Sequence, residues 1–245
     1  MKECEQAYLD GLLNRLATAC PVPVASTILE GSAVAEALNS HATATGSDLI
    51  VMTTHGHGPL SRFWLGSVAD EMVRRAVRPL LLVRPQASAL DLASEPALQH
   101  ILIPLDGTAL AERALASAVG LGNLMQARYT LLRAYGPEID LDPLSSAALG
   151  DVQPSGEQLR CQAQDYLNRT AEQLKGQALN VQMHVVLGQH PASAILEAAQ
   201  RLGADLIALE SHGRHGLSRM LLGSVADKVI RGASLPVLVH SSPGK

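Results

Sequence analysis

Residues 48–83 read DLIVMTTHGHGPLSRFWLGSVADEMVRRAVRPLLLV, and residues 205–240 read DLIALESHGRHGLSRMLLGSVADKVIRGASLPVLVH. The two stretches align without a gap at an offset of 157 residues, with 18 identities in 36 positions. Each contains an apolar run, a glycine-containing loop, a helical stretch and a second apolar run. An internal repeat of this strength predicts two copies of one structural unit.

The second copy carries an upstream segment that the first copy lacks. Residues 99–134 contain an apolar strand, a helix and another apolar strand, whereas in the first copy only a weaker similarity reaches residues 27–31. We therefore expect strand 48–54 to expose an unpaired apolar edge. Three explanations stay open: the true start lies upstream, a partner strand fills the gap, or the partial domain is held only by packing on the complete domain. Our hypothesis is the first.

The order of elements predicts an α/β fold. In the second copy strands alternate with helices, which implies an open, Rossmann-like parallel sheet covered on both faces. We expect a partial domain over residues 1–86, a linker rich in Ala and Ser over 87–98, and a complete domain over 99–245. Ligands of such sheets bind beyond the carboxyl ends of the strands, where the strand order reverses.

The composition excludes several classes of protein. A net charge of −4 and an aromatic content of 2% argue against nucleic-acid binding, which usually requires a basic surface or stacking rings. The three cysteines form no C-x-x-C pair, which favours a reducing compartment. The sequence shows neither a signal peptide nor an apolar run of the ~18–20 residues that cross a bilayer. We expect a cytoplasmic protein with no membrane partner.

The candidate site is the glycine loop that leads into a helix. Gly213 and Gly216 let a ligand approach the backbone closely. Gly223 and Ser224 begin a helix, with Ser224 as the expected N-cap, and the free N–H groups there suit a phosphate. The alternative is that these are turn glycines and a structural cap. The first copy repeats the pattern with Gly56, Gly66 and Ser67.

These residues resemble the universal stress protein (UspA-like) family, in a tandem form with an incomplete first domain. The family motif G-x2-G-x9-G-[ST], followed by V-A-[DE], matches residues 213–227 and 56–70 from its second glycine onward. The resemblance implies ATP binding, with Asp106 on the nucleoside and the backbone of Ala134, just past the second strand, reading adenine. It also implies dimers through the last strands, at residues 236–239 or 79–83.

The sequence departs from the family motif at its first glycine, where Glu210 and Thr53 stand. A carboxylate near a polyanion is unfavourable unless a cation offsets it, so Mg²⁺ is a possible companion of ATP. The first copy has no counterpart of Asp106 or Ala134. We therefore expect the nucleotide in the second domain, with weaker binding in the first.

The sequence predicts a stress-response regulatory protein rather than a fast enzyme, with at most slow ATP hydrolysis. Signatures of nucleophilic catalysis and of a Walker A loop are absent, and the histidine pairs of the glycine loops lack the partners of a metal site. The alternative is a dimerisation or interaction module without nucleotide, which Glu210 favours. An ATP-using pyrophosphatase of related fold ranks last.

The expected partner is an adenine nucleotide. We also expect either a homodimer or an intrachain pseudo-dimer through the last strands. Arg74 and Arg231 are expected to face the helix dipole or solvent.

Overall fold

The computed structural model describes residues 2–19, 22–31, 33–54, 65–84, 98–136, 155–174, 179–188, 190–211 and 222–240. Within these ranges the helices are α1 Lys2–Ala19, α2 Val34–Ala44, α3 Ser67–Arg75, α4 Arg113–Asn123, α5 Gly156–Leu174, α6 Pro191–Leu202 and α7 Ser224–Gly232. The strands are β1 Ile50–Thr53, β2 Leu80–Val83, β3 His100–Pro104, β4 Arg128–Tyr135, β5 Val181–Leu187, β6 Leu206–Glu210 and β7 Val237–His240.

All these strands join one open sheet, in the order β1-β2-β7-β6-β3-β4-β5. Neighbouring strands are parallel except β2 and β7, which are antiparallel. The α/β, Rossmann-like prediction is therefore confirmed. The second repeat runs from β3 outward to β5 and then returns to β6 on the other side of β3. The strand order thus reverses between β3 and β6.

The central strands are apolar on both faces because helices cover both faces. Along β6, Leu206 and Ala208 join a core that includes residues of α4 and α5. The alternate residues Ile207 and Leu209 join the opposite core, which includes residues of α3, α6 and α7. Each of the Leu and Ile side chains contributes about 1.5–3 kcal/mol when fully buried. The short apolar run of β6 is therefore explained by burial on both faces.

The two repeats meet where their last strands pair. Leu80 lies opposite Val239, and Leu82 lies opposite Val237. The structure thus contains the intrachain pseudo-dimer that the sequence left as one of two possibilities. Strand β2 is paired on one edge with β1 and on the other with β7, and β7 is paired with β2 and with β6. A homodimer through the same strands has no free edge to use.

Ion pairs join the helices beside this junction. Arg231 on α7 lies 2.8 Å from Asp70 on α3 and 2.8 Å from Asp227 on its own helix. Arg74 pairs with Asp70 at 3.0 Å, and this hydrogen bond raises the pKa of Arg74. Both arginines lie in the last turns of their helices. The antiparallel pairing of β2 and β7 also brings α3 and α7 together, which gives Arg231 a partner in the other repeat.

The first repeat ends at the sheet edge. Among the residues that the structure describes, β1 pairs with β2 alone, which confirms the expected edge strand, and Val51 is 57% exposed. Residues 22–31, which include the segment aligned with β5, form no strand. The physical reason is that β5 is held by hydrogen bonding to β4, and the described part of the first repeat has no strand equivalent to β4.

Candidate functional site

The predicted crevice lies at the carboxyl edge of the second repeat. β3 ends at Pro104 and β6 ends at Glu210, and these neighbouring strands flank the point where the strand order reverses. The beginning of α4 borders this edge on one face of the sheet, and the beginning of α7 borders it on the other. This is the position at which open α/β sheets bind ligands.

Asp106 lies just past the end of β3. Its Oδ1 accepts hydrogen bonds from the Thr108 N–H at 2.9 Å and from the Thr108 hydroxyl at 2.6 Å. Gly107 between them has a φ of +88°, a conformation that glycine adopts without strain. The turn therefore holds the Asp106 carboxylate in one place at the mouth of the crevice. Sequence reasoning missed Thr108, although a hydroxyl two residues after an aspartate is a recognisable turn signal.

Ala134 lies within β4, not past its end as expected, because β4 extends to Tyr135. The Leu132 carbonyl accepts a hydrogen bond from the Leu105 N–H on the β3 side. The Tyr135 carbonyl accepts one from the Gly188 N–H on the β5 side. Since these directions alternate along a strand, the backbone polar groups of Ala134 face the β3 side. β3 has already ended there, at the residue opposite Leu132. The structure thus directs the Ala134 backbone into the space beside Asp106.

The start of α7 differs from the sequence prediction in one respect. Gly223, not Ser224, is the N-cap, because the Gly223 carbonyl accepts the first helical hydrogen bond, from the Asp227 N–H at 2.8 Å. Ser224 makes no side-chain cap and occupies the first helical position, where its N–H has no acceptor within the helix. The Gly223 N–H is tied back to the Ser211 carbonyl at 2.9 Å.

The first repeat builds the same helix start. Gly66 is the N-cap of α3, Ser67 is its first residue, and the Gly66 N–H donates to the Thr54 carbonyl at 2.9 Å. A Cβ at Gly66 would lie 3.2 Å from that carbonyl oxygen, which explains why glycine suits the position. Of the other predicted site residues, Gly56, Gly213 and Gly216 lie outside the described residues.

Glu210 is enclosed at the end of β6. It is 6% exposed, and its Oε1 accepts a hydrogen bond from the Ser211 hydroxyl at 3.3 Å. It shares a face with Leu206 and Ala208, so it lies on the α4 side of the sheet. Its register partner on β7 is His240, whose Nδ1 lies 2.9 Å from the Ser117 hydroxyl of α4. The Glu210 side chain is therefore enclosed at the end of β6, on the α4 side of the sheet.

Electrostatics around the crevice follow from burial. Desolvation is the main cause that lowers the pKa of His240, and the positive charge of Arg113 lowers it further. Tyr166 of α5 donates to Glu112 Oε1 at 3.0 Å, and burial is the main cause that raises its pKa.

Within the described ranges, no cluster of three or more His, Cys, Asp or Glu could hold a metal ion. No helix in the described part of the chain is long and apolar enough to span a bilayer.

Comparison with known proteins gives the family. The model of the Universal stress protein family matches residues 2–84 and 97–240. The chain belongs to the universal stress protein family. The two matched segments correspond to the two repeats, so the tandem organisation of a UspA-like protein is confirmed. The family assignment places the chain among stress-response proteins.

Individual relatives carry the same name. Universal stress protein Rv2005c of Mycobacterium tuberculosis is 28% identical over 198 residues, which cover 79% of this chain and 61% of the relative. This chain thus spans less than two thirds of that protein. Universal stress protein MJ0531 of Methanocaldococcus jannaschii is 30% identical over 148 residues, covering 60% of this chain and 84% of the relative.

A solved structure supports the fold. A universal stress protein from Archaeoglobus fulgidus matches 98% of this chain and 79% of its own chain, with a TM-score of 0.70 and 20% identity. At this level of identity the similarity concerns the fold alone. It agrees with the open sheet and the paired repeats described above.

Proposed function

We propose that the second repeat binds ATP at its carboxyl edge and that the protein acts as a stress-response regulator rather than as a fast enzyme. One observation carries the proposal: Asp106, the outward-facing backbone of Ala134 and the first N–H groups of α7 border one crevice at the reversal of strand order. Each supplies a different part of adenine-nucleotide recognition.

The α7 end suits the phosphates. Free N–H groups and the positive end of the helix dipole attract anions, and Ser224 adds a hydroxyl to the N–H groups of the first turn. The glycine loop of residues 212–221 would complete this side of the site. Mg²⁺ would offset the charge of the phosphates.

The β3–β4 end suits the nucleoside. A carboxylate accepts hydrogen bonds from ribose hydroxyls, and a backbone N–H and C=O pair can match the edge of adenine. This type of recognition requires no stacking ring, which agrees with the aromatic content of 2%. Asp106 and Ala134 supply these two elements from neighbouring strands.

A dimerisation or interaction module without nucleotide is the second candidate. Glu210 favours it, because this larger side chain stands where the family motif has glycine. Absence of nucleotide binding under every condition would leave this candidate as the function.

Isothermal titration with ATP, ADP and AMP, with and without Mg²⁺, tests the proposal. The sharpest variant is Ser224→Pro. Proline is tolerated at the first position of a helix but removes the N–H donor there, and Gly223 has a ψ of 138° that suits a following proline. Loss of a hydrogen bond to a charged group costs about 1.5–3 kcal/mol. The Kd for ATP should therefore rise about ten- to a hundredfold.

The matched control is Ser67→Pro at the same position of α3. The backbone of Gly66, with a ψ of 152°, is equally compatible with a following proline. This variant should leave the affinity for ATP unchanged, because the first repeat lacks the counterparts of Asp106 and Ala134. Equal loss in both variants, or no binding by the unmodified protein, would contradict the proposed site.

A further inference from the structure

Strand β5 is the edge of the sheet that belongs to the second repeat. Among the residues that the structure describes, β5 pairs with β4 alone. The Asn180 carbonyl accepts a hydrogen bond from the Tyr129 N–H, and the Gly188 N–H donates to the Tyr135 carbonyl. The even-numbered residues of β5 therefore turn their backbone polar groups toward β4. Because these directions alternate along a strand, the N–H and C=O groups of the odd-numbered residues face the open edge.

The same odd-numbered residues carry the apolar face of β5. Val181 and Val185 pack against the core on the α5 side of the sheet. Met183 lies between them and is 40% exposed, and Leu187 is 65% exposed. Edge strands that avoid pairing usually carry a charge or a proline at such positions, and none of these four residues is of that kind. The edge therefore combines open hydrogen-bonding groups with exposed apolar side chains.

This edge is complementary to itself. A second copy of β5 can add antiparallel with a two-fold axis at Val185, which places Val185 opposite its own copy in a hydrogen-bonded pair. The same axis places Met183 of each copy opposite Leu187 of the other, on one face of the extended sheet. The two exposed large side chains of the strand therefore cover each other, as an interface between identical patches requires.

Charged side chains of α6 favour the same register. Arg201 Nη2 lies 3.0 Å from His184 Nε2, so the charge of Arg201 stands over β5. Helix α6 runs antiparallel to β5, because it connects two parallel strands. Glu197 lies one helical turn before Arg201, about 6 Å nearer the carboxyl edge, which is the level of Val186. A two-fold axis at Val185 exchanges these two levels, so Arg201 of one copy faces Glu197 of the other.

We propose that β5 is a homodimer interface at which two copies of this chain pair antiparallel and continue the sheet across the two-fold axis. The contacts between Met183 and Leu187 supply the apolar part of the interface, and the attraction between Arg201 and Glu197 sets the register. The last strands, β2 and β7, pair with each other within the chain. The interface therefore lies at a different edge from the one that the family resemblance implied.

Sedimentation velocity of the full-length protein over a range of concentrations tests the interface. The Kd of the dimer should rise about a hundredfold in Leu187→Lys, because a charge on an edge strand opposes pairing and each dimer contains the position twice. Leu124→Lys is the matched control, since Leu124 is 81% exposed just after α4, and it should leave the Kd unchanged. Far-ultraviolet circular dichroism of each variant separates loss of pairing from loss of folding.

Charge reversal tests the register. Arg201→Glu and Glu197→Arg should each raise the Kd of the dimer about tenfold, because each variant places like charges at both symmetry-related contacts. An equal mixture of the two variants should recover the original affinity, since opposite charges then meet at both contacts. A mass tag on one variant identifies the mixed dimer.

Three results would overturn the inference. A protein that stays monomeric at every concentration has no such interface. A dimer that is unchanged in both Leu187→Lys and Met183→Lys pairs through another surface, and its loss in Val51→Lys instead would identify β1 as that surface. A mixture of Arg201→Glu and Glu197→Arg that dimerises no better than either variant alone would show that the two copies do not pair about Val185.

Discussion

The Asp106 carboxylate is positioned by its own turn before any ligand arrives. Two hydrogen bonds from Thr108 and the left-handed conformation of Gly107 hold it at the end of β3. A group that is already fixed loses little conformational entropy when a ligand binds. A carboxylate oriented in this way is suited to recognition of a neutral hydroxyl-bearing group such as ribose.

Asp106→Ala should raise the Kd values for ATP, ADP and AMP by a similar factor, about tenfold or more, because the carboxylate contacts the part that the three nucleotides share. In contrast, Ser224→Pro should weaken ATP more than AMP. Thr108→Val is the matched control: it keeps the carboxylate but removes the 2.6 Å hydrogen bond, so its effect should be smaller. Titration calorimetry with the three nucleotides measures all of these constants. Unchanged constants in Asp106→Ala would refute the assignment.

Helices α3 and α7 show how a repeated element builds an internal junction. Both carry an aspartate and, four residues later, an arginine, which alone would form a pair within each helix. Because β2 and β7 pair antiparallel, the helices approach each other and Asp70 also binds Arg231. Arg84 further donates to the Ile230 carbonyl near the end of α7 at 3.3 Å.

A double-mutant cycle on Asp70→Ala and Arg231→Ala should give a favourable coupling of about 1 kcal/mol in the free energy of unfolding, the upper range for pairs open to solvent. The coupling should fall as salt is added. Urea denaturation of the four proteins measures it. The control cycle uses Glu71→Ala and Arg75→Ala, a more exposed pair within one helix, and should give a smaller value. A coupling near zero in the Asp70–Arg231 cycle would show that the contact between the repeats adds nothing.

The two repeats share one core at the scale of the whole molecule. The hydrophobic cluster on one face contains Met72 and Leu80 of the first repeat together with Val229 and Val237 of the second. The continuous sheet crosses the same boundary. Neither repeat can lose this contact without exposing apolar surface of the other, so they should unfold as one cooperative unit.

Thermal unfolding should therefore give coincident transitions by two probes. Pulsed hydrogen exchange at the amides of α3 and β2 reports on the first repeat, and far-ultraviolet circular dichroism reports on all helices. Leu80→Ala should lower both midpoints together, because the side chain is fully buried in the shared core and such truncations cost about 2–5 kcal/mol. Ala17→Ser, at an exposed position of α1, is the control. A hydrogen-exchange transition of the first repeat well below that of circular dichroism would show that the repeats unfold separately.

Much of the fold could be predicted from the sequence because the repeat aligns strand with strand and helix with helix. The alternation of apolar runs and helices in the second copy identified the parallel sheet, and the absence of an equivalent to residues 99–134 identified β1 as an edge strand.

The ends of the helices and strands were harder to predict. Ser224 has the composition of an N-cap, yet Gly223 takes that position because its carbonyl accepts the first helical bond. Ala134 likewise lies within β4, since β5 continues the pairing beyond the end of β3.

The sequence by itself determined the family, the tandem repeat and the residues that flank the crevice, because these depend on local patterns and on similarity along the chain. Only the tertiary structure decided that the last strands pair within the chain, that Arg231 joins the two repeats, and that Glu210 is buried on the α4 side of the sheet. The reason is that each depends on which residues distant in sequence become neighbours. The pairing of β2 with β7 brings Arg231 close to Asp70. The packing of α4 on the sheet encloses Glu210.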